Sequence, residues 1–157
     1  MRKIVTLALL FLMVVSAVPA TAGGSPVQNK KNAMAFIQNL VGDRDYEAAK
    51  QYVGPNYIQH DPRIAEDGLD ALVEALETHP LWKNRPIRKN MKVQNVVAEG
   101  DLVYLQYPRE GKTLKGDDFR LLVVHVFRFD ANGKIDEHWS AAGHVLMKET
   151  KNKHPLF

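Results

Sequence analysis

The sequence predicts a single α+β domain in which three helices are followed by a set of antiparallel strands. In the first half of the domain, apolar residues recur at spacings of three and four, which is the period of an amphipathic helix. In the second half they alternate with polar residues or form runs rich in Val, Leu and Phe, as in strands. The 157 residues, 45% hydrophobic and 25% charged, are typical of one globular domain with its own core.

The helices are predicted at residues 29–43, 45–52 and 69–77. The apolar face of the first is formed by Ala33, Phe36, Ile37, Leu40 and Val41. Asp45 is the predicted N-cap of the second, because an Asp side chain accepts from the free N–H groups of a first turn. The third ends at His79, since the residue before a proline disfavours the helical region. Residues 56–61 form a short extended segment between the last two helices.

Strands are predicted at residues 87–98, 102–108, 119–129 and 134–146, with a polar connection at 109–116. If Asp130–Gly133 is the whole turn of the last hairpin, Phe129 faces Lys134 and His125 faces His138. One face of that hairpin then carries His125, Phe127, Phe129, Asp136, His138 and Ser140. The other face carries Val124, Val126, Arg128, Ile135, Glu137 and Trp139, with Arg128 close to Glu137.

The first 22 residues have the three-part pattern of a secretory signal peptide. Arg2 and Lys3 precede an apolar stretch, and Ala20–Ala22 offers small residues at the positions that a signal peptidase reads. We therefore expect cleavage after Ala22 and a secreted or periplasmic protein. A membrane anchor is the alternative, although the apolar stretch is short for a span. The predicted organisation is a signal peptide at 1–22, a linker at 23–28, a domain at 29–150 and a C-terminal tail at 151–157.

Charge and cysteine content exclude several classes of function. Loss of the signal peptide lowers Lys plus Arg from 21 to 19 against 18 acidic residues, so the mature net charge is about +1. This balance predicts no nucleic-acid partner. The basic cluster at residues 83–89 is a local excess, either a solvated loop or an anion-binding patch. The absence of cysteine excludes disulfides, cysteine nucleophiles and zinc–thiolate sites.

Acid–base chemistry is the candidate activity, because His60, Asp61, His125 and His138 combine groups that exchange or orient protons near neutral pH. Each histidine alone could equally be a hydrogen-bonded structural residue. Two histidines and a carboxylate could also bind a metal, but these residues are far apart in sequence and lack the spacing of a metal motif. We predict no metal and no cofactor.

Four short stretches resemble the SnoaL-like polyketide cyclases. They are YIQHDP at 57–62, AEGD at 98–101, VFRF at 126–129 and GKIDEHW at 133–139. That family belongs to a superfamily with nuclear transport factor 2, ketosteroid isomerase and limonene-epoxide hydrolase. The resemblance implies a cone: a strongly bent antiparallel sheet wrapped around three N-terminal helices, with a deep apolar pocket. Relatives commonly have an acidic residue at the positions of His125 and Ser140, where this sequence does not.

The resemblance also implies roles for the candidate residues. Asp61 or His60 would take a proton from carbon, and His125 would donate to the developing oxyanion. The expected pocket is lined by Phe36, Tyr57, Phe127, Phe129 and Ser140. The predicted function is an aldol-type cyclisation, isomerisation or hydration of a small, partly apolar carbonyl compound. The alternative is a non-catalytic ligand-binding or dimerisation domain of the same fold.

An apolar sheet face opposite the pocket predicts a homodimer. Val124, Val126 and Trp139 lie on that face, and leaving it to solvent is unfavourable by about 25 cal/mol per Å² of apolar surface. A two-fold symmetric contact between copies would cover it, as relatives in the superfamily often do. We expect no membrane association once the signal peptide is removed.

Overall fold

A computed structural model describes residues 24–80, 82–83 and 85–146. The helices are α1 (Pro26–Ile37), α2 (Tyr46–Lys50) and α3 (Leu69–Thr78), and α1 continues into a π-helical segment, Gln38–Asp43. The strands are β1 (Val53–Gln59), β2 (Asn95–Glu99), β3 (Leu102–Lys112), β4 (Asp118–Phe129) and β5 (Ile135–Leu146). The predicted signal peptide at 1–22 and C-terminal tail at 151–157 lie outside the described residues, as do residue 23 and residues 147–150.

The five strands form one curled, open sheet in the order β1-β5-β4-β3-β2, and the helices come first in the chain. The α+β prediction is confirmed. One pair departs from the predicted antiparallel sheet, because β1 runs parallel to β5. The long connection that follows β1, including α3, lets the chain return in the same direction. No helix among the described residues is long and apolar enough to cross a membrane.

Local signals set the helix ends. The Asp45 carboxylate accepts a hydrogen bond from the Ala48 N–H at 2.9 Å, so the predicted cap is confirmed. Helix α1 begins at Pro26, three residues before its predicted start. Proline suits a first helical turn because the N–H groups of that turn have no partner within the helix, so the missing N–H of proline costs nothing there. Arg44, with φ of 61°, ends the π-helical segment in the left-handed region.

Two of the predicted strand bounds are wrong. Residues 87–94 are not a strand, because their backbone bonds to the π-helical segment: the Arg88 N–H donates to the Gly42 carbonyl and the Met91 N–H to Gln38 Oε1, both at 2.8 Å. At the other end, residues 109–112 continue β3 instead of forming a polar connection, and they pair with the start of β4. This extension places Arg109 on the sheet.

The β4–β5 hairpin differs from its predicted register by two residues. Its loop extends to Lys134, so Phe129 pairs with Ile135, and a bulge at Asp136 then adds one more residue. His125 therefore pairs with Ser140 and not with His138. The longer loop and the bulge each shift the pairing by one residue. A total shift of two returns every side chain beyond the bulge to its predicted face, so His125, His138 and Ser140 still share a face. Before the bulge the prediction is wrong, because Ile135 is fully buried in the core.

The core lies between the helices and one face of the sheet, called here the inner face. Its members include the fully buried Phe36 and Ile37 of α1, with Val103, Leu105 and Phe127 of the sheet. The opposite, outer face carries the half-exposed residues that alternate with these, including Val124, Val126 and Trp139. Functional groups on the inner face are thus held by the packed core.

Candidate functional site

A cavity of about 100 Å³ lies between the inner face of the sheet and the helices. The apolar part of its wall comes from the π-helical segment, α3 and β4, and includes Leu40, Val41, Leu72, Leu76 and Val123. Its polar residues come from the end of β1 and from β3, β4 and β5, namely Gln59, Asp61, Tyr107, His125, His138 and Ser140, and three arginines, Arg63, Arg85 and Arg109, complete the polar wall. A small apolar chamber with a few convergent polar groups is the usual form of a ligand site.

Four of the predicted site residues meet in this cavity, namely Asp61, His125, His138 and Ser140. His60 does not. Its ring stacks on Trp139 at 4.4 Å, and its Nε2 lies 3.0 Å from Glu137 Oε2 on the outer face. The cause is strand alternation: Tyr57 and Gln59 point inward from β1, so the residue after Gln59 points outward.

The predicted aromatic lining lies behind the cavity. Phe36, Phe127 and Phe129 are at most 1% exposed. Phe127 stacks on the His138 ring at 4.6 Å, and Phe36 packs edge-on against Phe127 at 5.8 Å. These rings therefore support the histidine from the core side. Tyr57, also buried, contacts His138 through its hydroxyl.

A chain of buried hydrogen bonds connects β1 to β3 through both histidines. The Tyr57 hydroxyl and Gln59 Nε2 lie 2.8 and 3.0 Å from His138 Nδ1. His138 Nε2 lies 2.8 Å from His125 Nδ1, and His125 Nε2 lies 3.3 Å from the Tyr107 hydroxyl. The two histidines meet diagonally across β4 and β5, a spacing that long side chains can bridge.

The direction of every bond in this chain follows from one amide. Gln59 Oε1 accepts from the Asp61 N–H at 3.1 Å, so Gln59 Nε2, which can only donate, faces His138 Nδ1. That nitrogen must be unprotonated, and a neutral His138 then donates from Nε2 to His125 Nδ1. His125 in turn carries its proton on Nε2 and donates to the Tyr107 oxygen.

The Tyr107 hydroxyl proton is the free end of the chain. Among the described residues nothing accepts it, because its one hydrogen-bond contact is with a nitrogen that already carries a proton. Tyr107 is 3% exposed and lines the cavity, so a bound ligand is where this proton can be donated. Successive donation in one direction polarises each bond and strengthens the last donor.

Burial keeps the chain uncharged. It lowers the pKa of His125 to about 4 and that of His138 well below its ordinary value, the latter also through the charges of His125 and His60. Burial raises the pKa of Tyr107 to about 12. Both imidazoles are therefore neutral and the phenol is protonated near neutral pH.

Asp61 is the one carboxylate that the described residues contribute to the cavity wall, and Arg63 holds it in the charged form. The Arg63 guanidinium donates to both carboxylate oxygens, at 2.8 and 2.5 Å. These bonds lower the pKa of Asp61 more than its burial raises it. An apolar wall by itself makes a carboxylate more basic, but Arg63 reverses that effect at Asp61.

Sequence reasoning missed Gln59, Arg63, Tyr107, Arg85 and Arg109. Tyr107 continues the inward alternation of Val103 and Leu105, so the pattern of β3 was an available signal. Arg85 belongs to the basic cluster at 83–89, yet it is only 7% exposed and nothing in the composition marks it as buried. Among the described residues, no three His, Asp or Glu side chains come together as a metal site.

A curled sheet around helices, with a small polar-ended cavity inside, defines the class of NTF2-like proteins. Within that class the chain belongs to the SnoaL-like domain family, whose model matches residues 33–138. No curated protein matches the chain significantly in sequence.

Several solved structures share the fold. TsrD from Streptomyces laurentii has a TM-score of 0.59 at 17% identity, covering 75% of this chain and 90% of its own. TerC, co-crystallized with polyporic acid, has a TM-score of 0.58 at 19% identity, covering 74% and 92%. An LEH-like epoxide hydrolase from M. tuberculosis has a TM-score of 0.55 at 13% identity, covering 75% and 84%. At such identities the likeness concerns the fold.

Proposed function

We propose that this protein binds a small, partly apolar carbonyl compound and catalyses proton transfer at the carbon beside the carbonyl group. The observation that carries the proposal is the pairing, in one cavity, of an ionised carboxylate with a hydrogen-bond donor whose proton has no other acceptor among the described residues. An aldol-type cyclisation, an isomerisation and a hydration all need this pair of groups.

Each group has a defined task. The Asp61 carboxylate takes the proton from the substrate carbon, and the electron pair moves onto the carbonyl oxygen. The Tyr107 O–H donates to that oxygen as its charge develops, which is where a fixed donor contributes most to the rate. His125 and His138 orient the Tyr107 hydroxyl, as members of the chain that begins at Gln59, and burial keeps this hydroxyl protonated.

Hydrogen–deuterium exchange tests the proposal without knowledge of the physiological product. Aryl and alkyl ketones are incubated with the protein in D₂O, and loss of the proton signal beside the carbonyl is followed by NMR. Asp61→Asn and Tyr107→Phe should each slow exchange at least about tenfold, or 1.4 kcal/mol in the barrier. Tyr104→Phe is the matched control, since Tyr104 lies on the same strand and its hydroxyl bonds Gln106.

The same experiment decides between catalysis and binding alone. The pairing of Asp61 with Arg63 favours the binding alternative, because a carboxylate with a lowered pKa is a weaker base. Ketones that bind in the cavity without faster exchange, or with exchange that both variants leave unchanged, would support that alternative and refute the catalytic role.

We also propose export and dimerisation, which the sequence predicts. Gly23 should be the first residue of protein recovered outside the cytoplasm, and an intact Met1 would contradict cleavage. The outer face is half-exposed around Val124, Val126 and Trp139, with Ile58 39% exposed at its edge. A second copy of this chain would cover it, and light scattering that finds a monomer at micromolar concentration would refute the dimer.

A further inference from the structure

A larger cleft of about 750 Å³ lies beside the cavity. The two spaces share four wall residues, Arg63, Trp82, Arg85 and Arg109, and therefore adjoin. The apolar part of the cleft includes Phe119 and Leu121. The inner cavity is too small for more than a few heavy atoms, so most of any substrate must occupy this cleft.

The arginines in the cleft wall are short of negative partners. Arg63 is paired with Asp61, but within the described part of the chain Arg85 donates only to neutral oxygens, including the carbonyls of Leu76 and Trp82 at 3.0 and 3.1 Å. Arg88 likewise donates to the Glu110 carbonyl at 2.7 Å. Glu110 also lines this cleft, but its carboxylate is already bound by Arg120 at 2.8 Å.

Arg109 stands out because its guanidinium has no hydrogen bond or ion pair to any of the residues that the structure describes. Arg85 is 7% exposed, and its Nε is buried without an acceptor in the described part of the chain. Burial and the charges of neighbouring arginines lower the pKa of both Arg85 and Arg109. Unbalanced positive charge in a partly dry wall favours an anionic ligand.

We propose that the cleft selects an organic carboxylate, whose negative group binds Arg109 beside Arg85 and Arg88 while its ketone end reaches Asp61 and Tyr107. This inference rests on the proposed function for the position of the ketone. The planar fork of a guanidinium matches a carboxylate in two parallel hydrogen bonds. Arg63 neutralises the charge of Asp61, so that carboxylate does not repel an anion from the cavity.

A matched pair of ligands tests the inference. Benzoylpropionate and benzoylpropionamide share the aryl ketone and differ in the charge of one end. Titration calorimetry should show that the carboxylate binds at least about tenfold more tightly than the amide, or 1.4 kcal/mol. Added salt should weaken binding of the carboxylate more than binding of the amide.

Arg109→Gln should remove most of this preference, because it weakens binding of the carboxylate more than binding of the amide. Arg128→Gln is the control, because it removes the same charge from the outer face of the sheet. Equal affinity for the two ligands, an unchanged preference in Arg109→Gln, or no binding of either compound at millimolar concentration would overturn the inference. Should Arg109→Gln not fold, the wild-type protein tests the inference: equal effects of salt on binding of the carboxylate and of the amide would overturn it.

The binding result is separate from catalysis. A carboxylate preference that depends on Arg109, without faster exchange of the protons beside the ketone, would support the anion site and refute the proposed proton transfer. Faster exchange on the amide and the carboxylate alike, with equal affinities, would support proton transfer and refute the anion site.

Discussion

The two faces of the β4–β5 hairpin place similar polar residues in opposite environments. On the inner face His125 and His138 are 6% and 2% exposed and bond each other at 2.8 Å. On the outer face Arg128 and Glu137 form a half-exposed ion pair at 2.9 Å. Arg128 also binds the Asp101 carboxylate at 2.9 Å, and His60 contacts Glu137 from the neighbouring strand.

The difference shows how burial decides the use of a polar side chain. In the core it is costly to charge a histidine, so both inner histidines stay neutral. They form a hydrogen-bond chain in which each group donates to the next in one direction. At the surface, water screens opposite charges and an ion pair costs and gains little. A directed chain of hydrogen bonds between neutral groups therefore requires the inner face, whereas outward-facing residues of the same strands form ion pairs.

The largest expected difference between the two faces is the loss of stability when an apolar side chain is truncated to alanine. Phe127→Ala deletes a fully buried ring that supports His138, so we expect a loss of about 3–5 kcal/mol in the free energy of unfolding. Val126→Ala, one residue away on the outer face, should cost under about 1 kcal/mol. Urea denaturation measures both, and equal costs would mean that the outer face is also buried, as in a dimer.

The second-largest effect is expected on acidification, which should lower the free energy of unfolding through the histidines of the inner face. Because the folded-state pKa of His125 is about 4 against an ordinary 6.5, the unfolded chain binds the proton first as the pH falls. The contribution of His125 to stability is present above about pH 6.5 and is lost progressively towards pH 4, by about 3 kcal/mol. His125→Gln should show a smaller loss between pH 7 and 4. An unchanged pH dependence in that variant would contradict the buried neutral imidazole.

The direction of the hydrogen-bond chain depends on Gln59. Gln59→Met keeps the size of the side chain but removes the amide that fixes His138, so we expect a loss of about 1–2 kcal/mol in stability. Nitrogen-15 NMR should show both histidines protonated on Nε2 in the wild-type protein and a mixture of tautomers for His138 in the variant. A single Nδ1-protonated form of His138 in the wild-type protein would contradict the assigned direction.

Much of this comparison was predictable from alternation alone. The shared face of His125 and His138 follows from the period of two in strands, and it survived a register error of two residues. The same rule, applied to residues 57–61, would have put His60 outward once Tyr57 and Asp61 were placed inward. His60 was assigned to the pocket for its chemistry, although the pattern excluded it.

Other features need the three-dimensional structure. The bulge at Asp136 depends on how the hairpin loop meets β1, where the Ile135 N–H donates to the Tyr52 carbonyl at 2.8 Å. Arg85 is buried because the carbonyls of Leu40 and Leu76 need a donor at the ends of their helical segments. Contacts of this kind join residues far apart in sequence, and no local pattern predicts them.

The smallest expected effect concerns the outer ion pair. Arg128 and Glu137 were predicted neighbours, and their bond at 2.9 Å confirms this, but both side chains are partly exposed, at 40% and 26%. A double-mutant cycle with Arg128→Gln and Glu137→Gln should give a coupling of about 0.5 kcal/mol, and added salt should reduce it because water and ions screen the pair. The cycle is measured by urea denaturation at low and high ionic strength.

If a second copy of the chain covers this face, the pair is dry in the dimer, and the coupling should rise above about 0.5 kcal/mol and resist salt. A small, salt-sensitive coupling at concentrations where light scattering finds dimers would show that the dimer forms elsewhere.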